Sequence, residues 1–273
     1  MTASIPSPHE LRDIALHIAQ RAAAFAQSER ARGVEVAATK SSPVDIVTQV
    51  DRDTETLIRD EILAVRPNDG FFGEEHDRRS GTSGLTWVVD PIDGTVNFLY
   101  GIPAWSVSIA VVDSGDDPTT WRALAGAVVC PVLGESYDAY LDGGARRNGE
   151  PIAVNTNVPL SQALIGTGFA YAAETRREQA AVLAQLLGQV RDIRRIGAAS
   201  LDLCGVASGR LDAYFERSLK PWDHAAGALI AREAGAFVTG VDGGPEGEDL
   251  IVVAGWDLSD PLRELLRSAG VQA

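Results

Sequence analysis

Along the first part of the chain, Leu11, Ile14, Ala15, Ile18, Ala19, Ala22, Phe25 and Ala26 recur at spacings of three and four. That spacing gathers them on one face of a helix. Ser7 supplies a cap, Pro8 suits the first helical position, and Glu10 completes a capping box. A second helix is predicted after Thr48, turning Leu57, Ile58, Ile62 and Val65 inward. Thr48 and Asp51 form another capping box, so Asp51 has a structural reason for its place. The turn Pro67-Asn68-Asp69-Gly70 ends this helix.

The period then falls to two. Residues 106–111 alternate Ser/Val/Ser/Ile in the manner of a half-buried strand, and strands are predicted over 125–132 and 135–140. Asn148-Gly149 marks a tight turn before a strand over 151–154. Beyond 155 the rhythm changes again. Strands at 163–167, 193–196, 212–215, 237–238 and 250–254 alternate with helices at 174–187, 199–208 and 223–234 and one after Ser259. The pattern predicts an α/β protein with an α+β part over 1–154 and an α/β part over 155–273, without repeat or linker.

Composition narrows the picture. The 273 residues are 45% hydrophobic and 23% charged, the balance of a soluble globular protein, and the formal net charge of −14 opposes nucleic acids and anionic membranes. An acidic chain can still bind an anion where a metal ion supplies local positive charge. Cys130 and Cys204 are far apart and outside any CxxC spacing, which predicts buried thiols in a reducing compartment. The start, MTASIPSPHE, lacks a signal-peptide pattern, and no apolar run is long enough to span a bilayer. A cytoplasmic protein is expected.

Three acidic stretches then stand out. Glu74-Glu75 follows the apolar run Phe71-Phe72-Gly73. Asp90 and Asp93 follow Trp87-Val88-Val89, in a break from strand to turn, with Gly94-Thr95 next. Asp223 opens a small-residue helix after Lys220-Pro221-Trp222. Taken singly they read as a charged loop, a turn and a helix cap. Together they offer four carboxylates from three loops, an oxygen-rich set of the kind that suits Mg²⁺ and the clamping of a transferring phosphoryl group. Gly94 permits close approach, and amides from Gly94 onward can donate to phosphate oxygens if a helix starts there.

The stretches GEE, WVVDPIDGTVNF and WDHAAGALIAREAGA, together with Lys40-Ser41-Ser42-Pro43-Val44-Asp45-Ile46-Val47-Thr48 and Asp51, resemble the inositol monophosphatase family in order and spacing over the whole chain. Members are Mg²⁺-dependent, lithium-sensitive phosphatases. The resemblance implies a layered αβαβα sandwich of the inositol monophosphatase and fructose-1,6-bisphosphatase type, generally a homodimer, acting on a small phosphate monoester. It places Glu74, Asp90, the Ile92 carbonyl, Asp93 and Asp223 on two Mg²⁺ ions, with a third, weaker ion near Glu74. It implies that Thr95 with Glu74 orients and deprotonates the attacking water, that Asp51 supports Thr95, and that the Gly94 and Thr95 amides hold phosphate. Lys40 falls near the metal-bound waters.

The alcohol is less sharply indicated. Glu216, seven residues before Asp223, falls where inositol phosphatases accept hydrogen bonds from ring hydroxyls, and Gly197-Ala198-Ala199 resembles the backbone lining that pocket. Arg194 and Arg195 are expected near its rim. His224 is expected away from the metals, since Mg²⁺ prefers oxygen. The basic stretch Arg217-Ser218-Leu219-Lys220 departs from the family pattern and leaves histidinol phosphate or other sugar phosphates as alternatives to inositol 1-phosphate. From another class, some bacterial relatives contact the transcription machinery.

Overall fold

Helix α1 (Pro8–Arg32) begins where the capping box puts it: the Glu10 amide donates to Ser7 Oγ at 3.3 Å and the Ser7 amide to Glu10 Oε2 at 2.8 Å. The computed structural model describes residues 6–33, 36–39, 46–113 and 120–271, with the backbone alone at 36–39 and 46. A two-stranded ladder, β1 (Val36–Thr39) and β2 (Ile46–Thr48), leads into α2 (Gln49–Val65). The second capping box is also present, joining Thr48 and Asp51. Ile58 and Ile62 are fully buried, whereas Val65 is 58% exposed. The predicted inward stripe therefore stops a turn before the helix does.

α1 and α2 cover one face of a seven-stranded sheet. Its strands are β3 (Gly70–Gly73), β4 (Leu85–Asp93), β5 (Ser106–Asp113), β6 (Arg122–Cys130), β7 (Glu135–Tyr140), β8 (Ala145–Arg147) and β9 (Glu150–Pro151), paired in chain order. β3 and β4 run parallel and the other pairs antiparallel. β6 stops at Cys130 because Pro131 opens the next turn, two residues short of the predicted end. The predicted strand at 151–154 is reduced to Pro151 in β9. β5 alternates as predicted but is buried on both faces. Val107, Ile109 and Val111 face α1 and α2, while Ala110 and Val112 face helices from the second half of the chain.

Those helices, α5 (Ala199–Ala207) and α6 (Pro221–Glu233), fill the space between this sheet and a five-stranded one. The second sheet has the order β11 (Asp192–Arg194), β10 (Leu164–Thr167), β12 (Ala213–Glu216), β14 (Ile251–Ala254), β13 (Phe237–Thr239). Its outer face is covered by α4 (Ala173–Leu186) and α7 (Trp256–Ser268), through Leu186, Leu262 and Leu266. α7 starts four residues earlier than predicted and carries Pro261 inside it. The stacking is αβαβα, as expected. No helix among the described residues is long and apolar enough to cross a membrane. Both cysteines are buried free thiols.

One charged contact ties the outermost layer to the first sheet. Arg12 of α1 donates through Nη1 to Asp138 of β7 at 2.6 Å, with side-chain exposures of 9% and 3%. Removing one partner of such a pair strands the other charge in a poorly solvated place. Asp138→Ala is expected to lower unfolding free energy by about 3 kcal/mol, the low end for a broken buried pair because Asp13 still meets Arg12. Urea denaturation with an unchanged slope measures it.

Candidate active site

The parallel register of β3 and β4 pairs Gly73 with Val89, so the residues that follow, Glu74 just past the end of β3 and Asp90 still in β4, come side by side. The sequence predicts a turn after Val89, but the ladder with β5 continues: Asp90 pairs with Ser108 and Asp93 with Ser106, with a shift of register between them. Pro91 has no N–H to give the ladder, and the two intervening residues bulge out. The Asp90 carboxylate folds back to accept the Ile92 amide at 3.0 Å. Chain direction changes only at Gly94, where φ is 89° and short helix α3 (Thr95–Tyr100) begins. A β-carbon there would stand 3.0 Å from the Ala104 carbonyl oxygen, so conformation and space both call for glycine.

Asp93 reaches across to the other half of the molecule. Its carboxylate accepts the amides of Ala199 at 3.2 Å and Ser200 at 2.7 Å, the first turn of α5, and also the Ser200 hydroxyl. Ser106 of β5 in turn lies 2.7 Å from Ser200, oxygen to oxygen. Asp223 is the third residue of α6 and accepts the Lys220 amide at 2.6 Å, so this helix begins at Pro221 rather than at Asp223. Thr95 Oγ1 lies 3.2 Å from Asp51 Oδ1 and 3.1 Å from the Ile92 carbonyl oxygen, and its one proton serves one acceptor at a time. The predicted acidic residues are thereby gathered at the ends of β3 and β4 and the starts of α2, α5 and α6.

A cavity of about 630 Å³ opens over them. Its wall includes Glu74, Asp93, Thr95, Gly197, Glu216 and Asp223, with Gly94, Ala198 and Ala199 between them. Asp90 is 2% exposed and sits below the wall with Asp51. Glu216 ends β12 and receives the buried Tyr214 hydroxyl. Arg195 joins the cavity and stacks 6.0 Å from the Phe169 ring centre, whereas Arg194, expected beside it, turns outward to Asp192. Arg217 and Lys220 reach Glu178 and Glu248. His224 lines a different cavity behind α6. Lys40 and its motif through Asp45 lie outside the described residues.

Three participants escaped the sequence reading. Ser200 and Tyr214 hold Asp93 and Glu216. Asn97 donates to the carbonyls of Ala104 at 2.7 Å and Ile196 at 3.0 Å, stitching α3 to the cavity wall. Ser200 and Asn97 are ordinary polar residues until the two halves are brought together, whereas Tyr214 stands two residues from Glu216 on β12.

Crowding carboxylates has an electrostatic cost. Burial raises the Asp90 carboxyl well above the ordinary range, and repulsion from Glu74, Asp93 and Asp223 adds to it. Burial and then Glu74 do the same to Asp223. Asp93 is raised by burial against the pull of its α5 hydrogen bonds. Burial pushes Asp51 and Glu216 to about 7. Among the described residues no three His, Cys, Asp or Glu side chains close on a single point. All-oxygen donors whose negative charge is mutually unfavourable fit hard divalent cations.

The profile of the inositol monophosphatase family matches residues 7–269. The inositol-1-monophosphatase of Mycobacterium leprae is 44% identical, over 98% of this chain and 97% of its own. Among solved structures, Mycobacterium tuberculosis SuhB superposes with a TM-score of 0.82 at 42% identity, covering 98% of this chain and 99% of the other. The extragenic suppressor protein suhB of Bartonella henselae gives 0.87 at 32% identity, covering 94% and 98%. The protein is thus a phosphatase built on a layered α/β sandwich. It belongs to the inositol monophosphatase family.

The raised carboxyls set a sign for pH dependence. A carboxyl held at about 7 in the folded chain, against an ordinary 3.8, binds more protons folded than unfolded between those values. Its stabilising contribution is present below the ordinary value and is lost as pH rises to about 7. Metal-free protein in EDTA is expected to show a higher Tm at pH 5.5 than at pH 7.5, by several degrees, and saturating Mg²⁺ to flatten or reverse that slope. Scanning calorimetry at both pH values checks it.

Proposed function

We propose that this protein is a Mg²⁺-dependent phosphomonoesterase that hydrolyses inositol 1-phosphate to inositol and phosphate. The observation that carries the reading is that Glu216, a hydroxyl-accepting carboxylate, shares one cavity with Glu74, Asp93 and Asp223. Glu74, Asp90, the Ile92 carbonyl, Asp93 and Asp223 would hold two Mg²⁺ ions, with room near Glu74 for a weaker third. When bound, such ions neutralise phosphate charge and make water more acidic.

The chain's own groups do the rest. Thr95 and Glu74 orient the attacking water and take its proton, and Asp51 keeps the Thr95 hydroxyl aimed. The Gly94 and Thr95 amides donate to phosphate oxygens. Water forms the new bond to phosphorus as the ester P–O bond breaks, the leaving alkoxide takes a proton from solvent water as it departs, and the proton taken from the attacking water returns to solvent, with no covalent enzyme intermediate. Gly197-Ala198-Ala199 lines the cavity on the alcohol side. Glu216, fixed by Tyr214, accepts ring hydroxyls. Arg195 in the cavity opposes a cationic alcohol, which favours inositol phosphate over histidinol phosphate.

Asp93→Asn is expected to cut Mg²⁺-dependent phosphate release at least ~100-fold, the scale for losing one preorganised electrostatic group, while circular dichroism stays unchanged. An unaltered rate would remove Asp93 from the site. Glu216→Gln weakens hydrogen bonds to a charged acceptor and is expected to lower kcat/KM for inositol 1-phosphate about tenfold. The same variant should leave Mg²⁺ half-saturation and glycerol 2-phosphate turnover in place. Purified protein assayed on both esters and on histidinol phosphate decides the alcohol; equal or faster turnover of histidinol phosphate refutes inositol 1-phosphate as the preferred substrate.

A further inference from the structure

Asp51 has a partner one turn further along α2. Glu55 is fully buried and points the same way, toward the loop that leaves β3. Its Oε2 accepts the Glu75 amide at 2.8 Å, and its Oε1 accepts the His76 amide at 2.9 Å and meets His76 Nδ1 at 2.7 Å. These are the two backbone donors immediately after Glu74. On the other side of Glu74, Gly73 is paired with Val89 in the sheet, and a β-carbon on Gly73 would fall 2.4 Å from the Glu55 carboxylate. Glu74 is therefore bracketed, by the ladder before it and by Glu55 after it.

Burying an acid is costly, and packing alone would be served as well by a neutral side chain. The hydrogen-bond inventory explains the choice. Two separate acceptor oxygens are needed for two diverging N–H groups, and glutamine would turn an amide NH₂ toward one of them. We propose that Glu55 is a positioning residue that fixes the Glu74 carboxylate in the metal site, so that α2 holds both water-handling groups: Thr95 through Asp51, and Glu74 through Glu55. The inference rests on the role proposed for Glu74 and adds the residue on which that role depends.

The test compares Glu55→Gln with Asp69→Asn. Asp69 is an equally buried carboxylate at the opposite end of β3, where it accepts Trp87 Nε1 at 2.9 Å and pairs with Arg66. Two readouts are taken on the full chain: half-saturation by Mg²⁺ in phosphate release, and the rise in Tm that Mg²⁺ alone gives the metal-free protein. Glu55→Gln is expected to raise half-saturation about tenfold, the lower end for losing a supporting partner of a metal ligand, and to shrink the Tm rise. Asp69→Asn should lower Tm without moving either Mg²⁺ response. Gly73→Ala, which displaces the carboxylate while leaving Glu55 in place, should reproduce the Mg²⁺ defect and serves if Glu55→Gln does not fold. Wild-type Mg²⁺ responses in Glu55→Gln or Gly73→Ala, or an equal shift in Asp69→Asn, overturn the proposal. If the unmodified protein shows no Mg²⁺-induced rise in Tm and no phosphate release, the reading of Glu74 fails and the proposal falls with it.

Discussion

The grip of α5 on Asp93 is the contact on which the site depends. A carboxylate carried by the first sheet lies at the N-terminus of a helix packed between the sheets, accepting two backbone amides and a serine hydroxyl. The unsatisfied donors of a first helical turn and the positive end of its dipole make that position favourable for negative charge. Because Ser200 also meets Ser106, the contact fixes the height of α5 above β5. Gly197 and Ala198, just before that turn, are thereby brought alongside Gly94.

Around this contact the molecule holds several acids where water is scarce. Their raised carboxyls show that the folded chain tolerates unfavourable charge here and draws its stability from elsewhere. The core between the sheets, with Leu203, Tyr214, Leu229 and Val253, and the core under α1, with Leu11, Ile58, Trp87 and Ile109, supply it. Asp90, Asp93, Asp223, Asp51 and Glu55 each accept hydrogen bonds that set their orientation independently of one another.

Much of the local structure was legible in the sequence. Both capping boxes placed their helices to within a residue or two, and β7 and α5 fall close to their predicted spans. The acidic motifs carry Glu74, Asp93, Thr95 and Asp223, which line one cavity together with Glu216 and Gly197-Ala198-Ala199. The misses share a cause. Ser106 and Ser108 read as the solvent face of a half-buried strand, yet they face a covered interface. Asp-Pro-x-Asp read as a turn, yet the neighbouring strand carries the ladder through as a bulge. Arg194 and Arg195 are adjacent in sequence, yet β11 ends between them: Arg194, its last residue, pairs with Asp192 at the surface, and Arg195, just past it, enters the cavity.

Sequence by itself determined the period of most segments, the starts of α1, α2 and α5 and the chemistry of the acidic motifs, because these depend on neighbours within a turn or a strand's width. It also carried the family, through the order and spacing of those motifs. Tertiary structure decided which faces are buried twice, where α5 meets Asp93, how Glu55 reaches the peptide after Glu74, and which arginine enters the cavity. Apart from the arginine pair, which the end of β11 divides, each of those contacts joins residues about 20 to more than 100 positions apart. Their geometry is set by the stacking of layers, which no local pattern records.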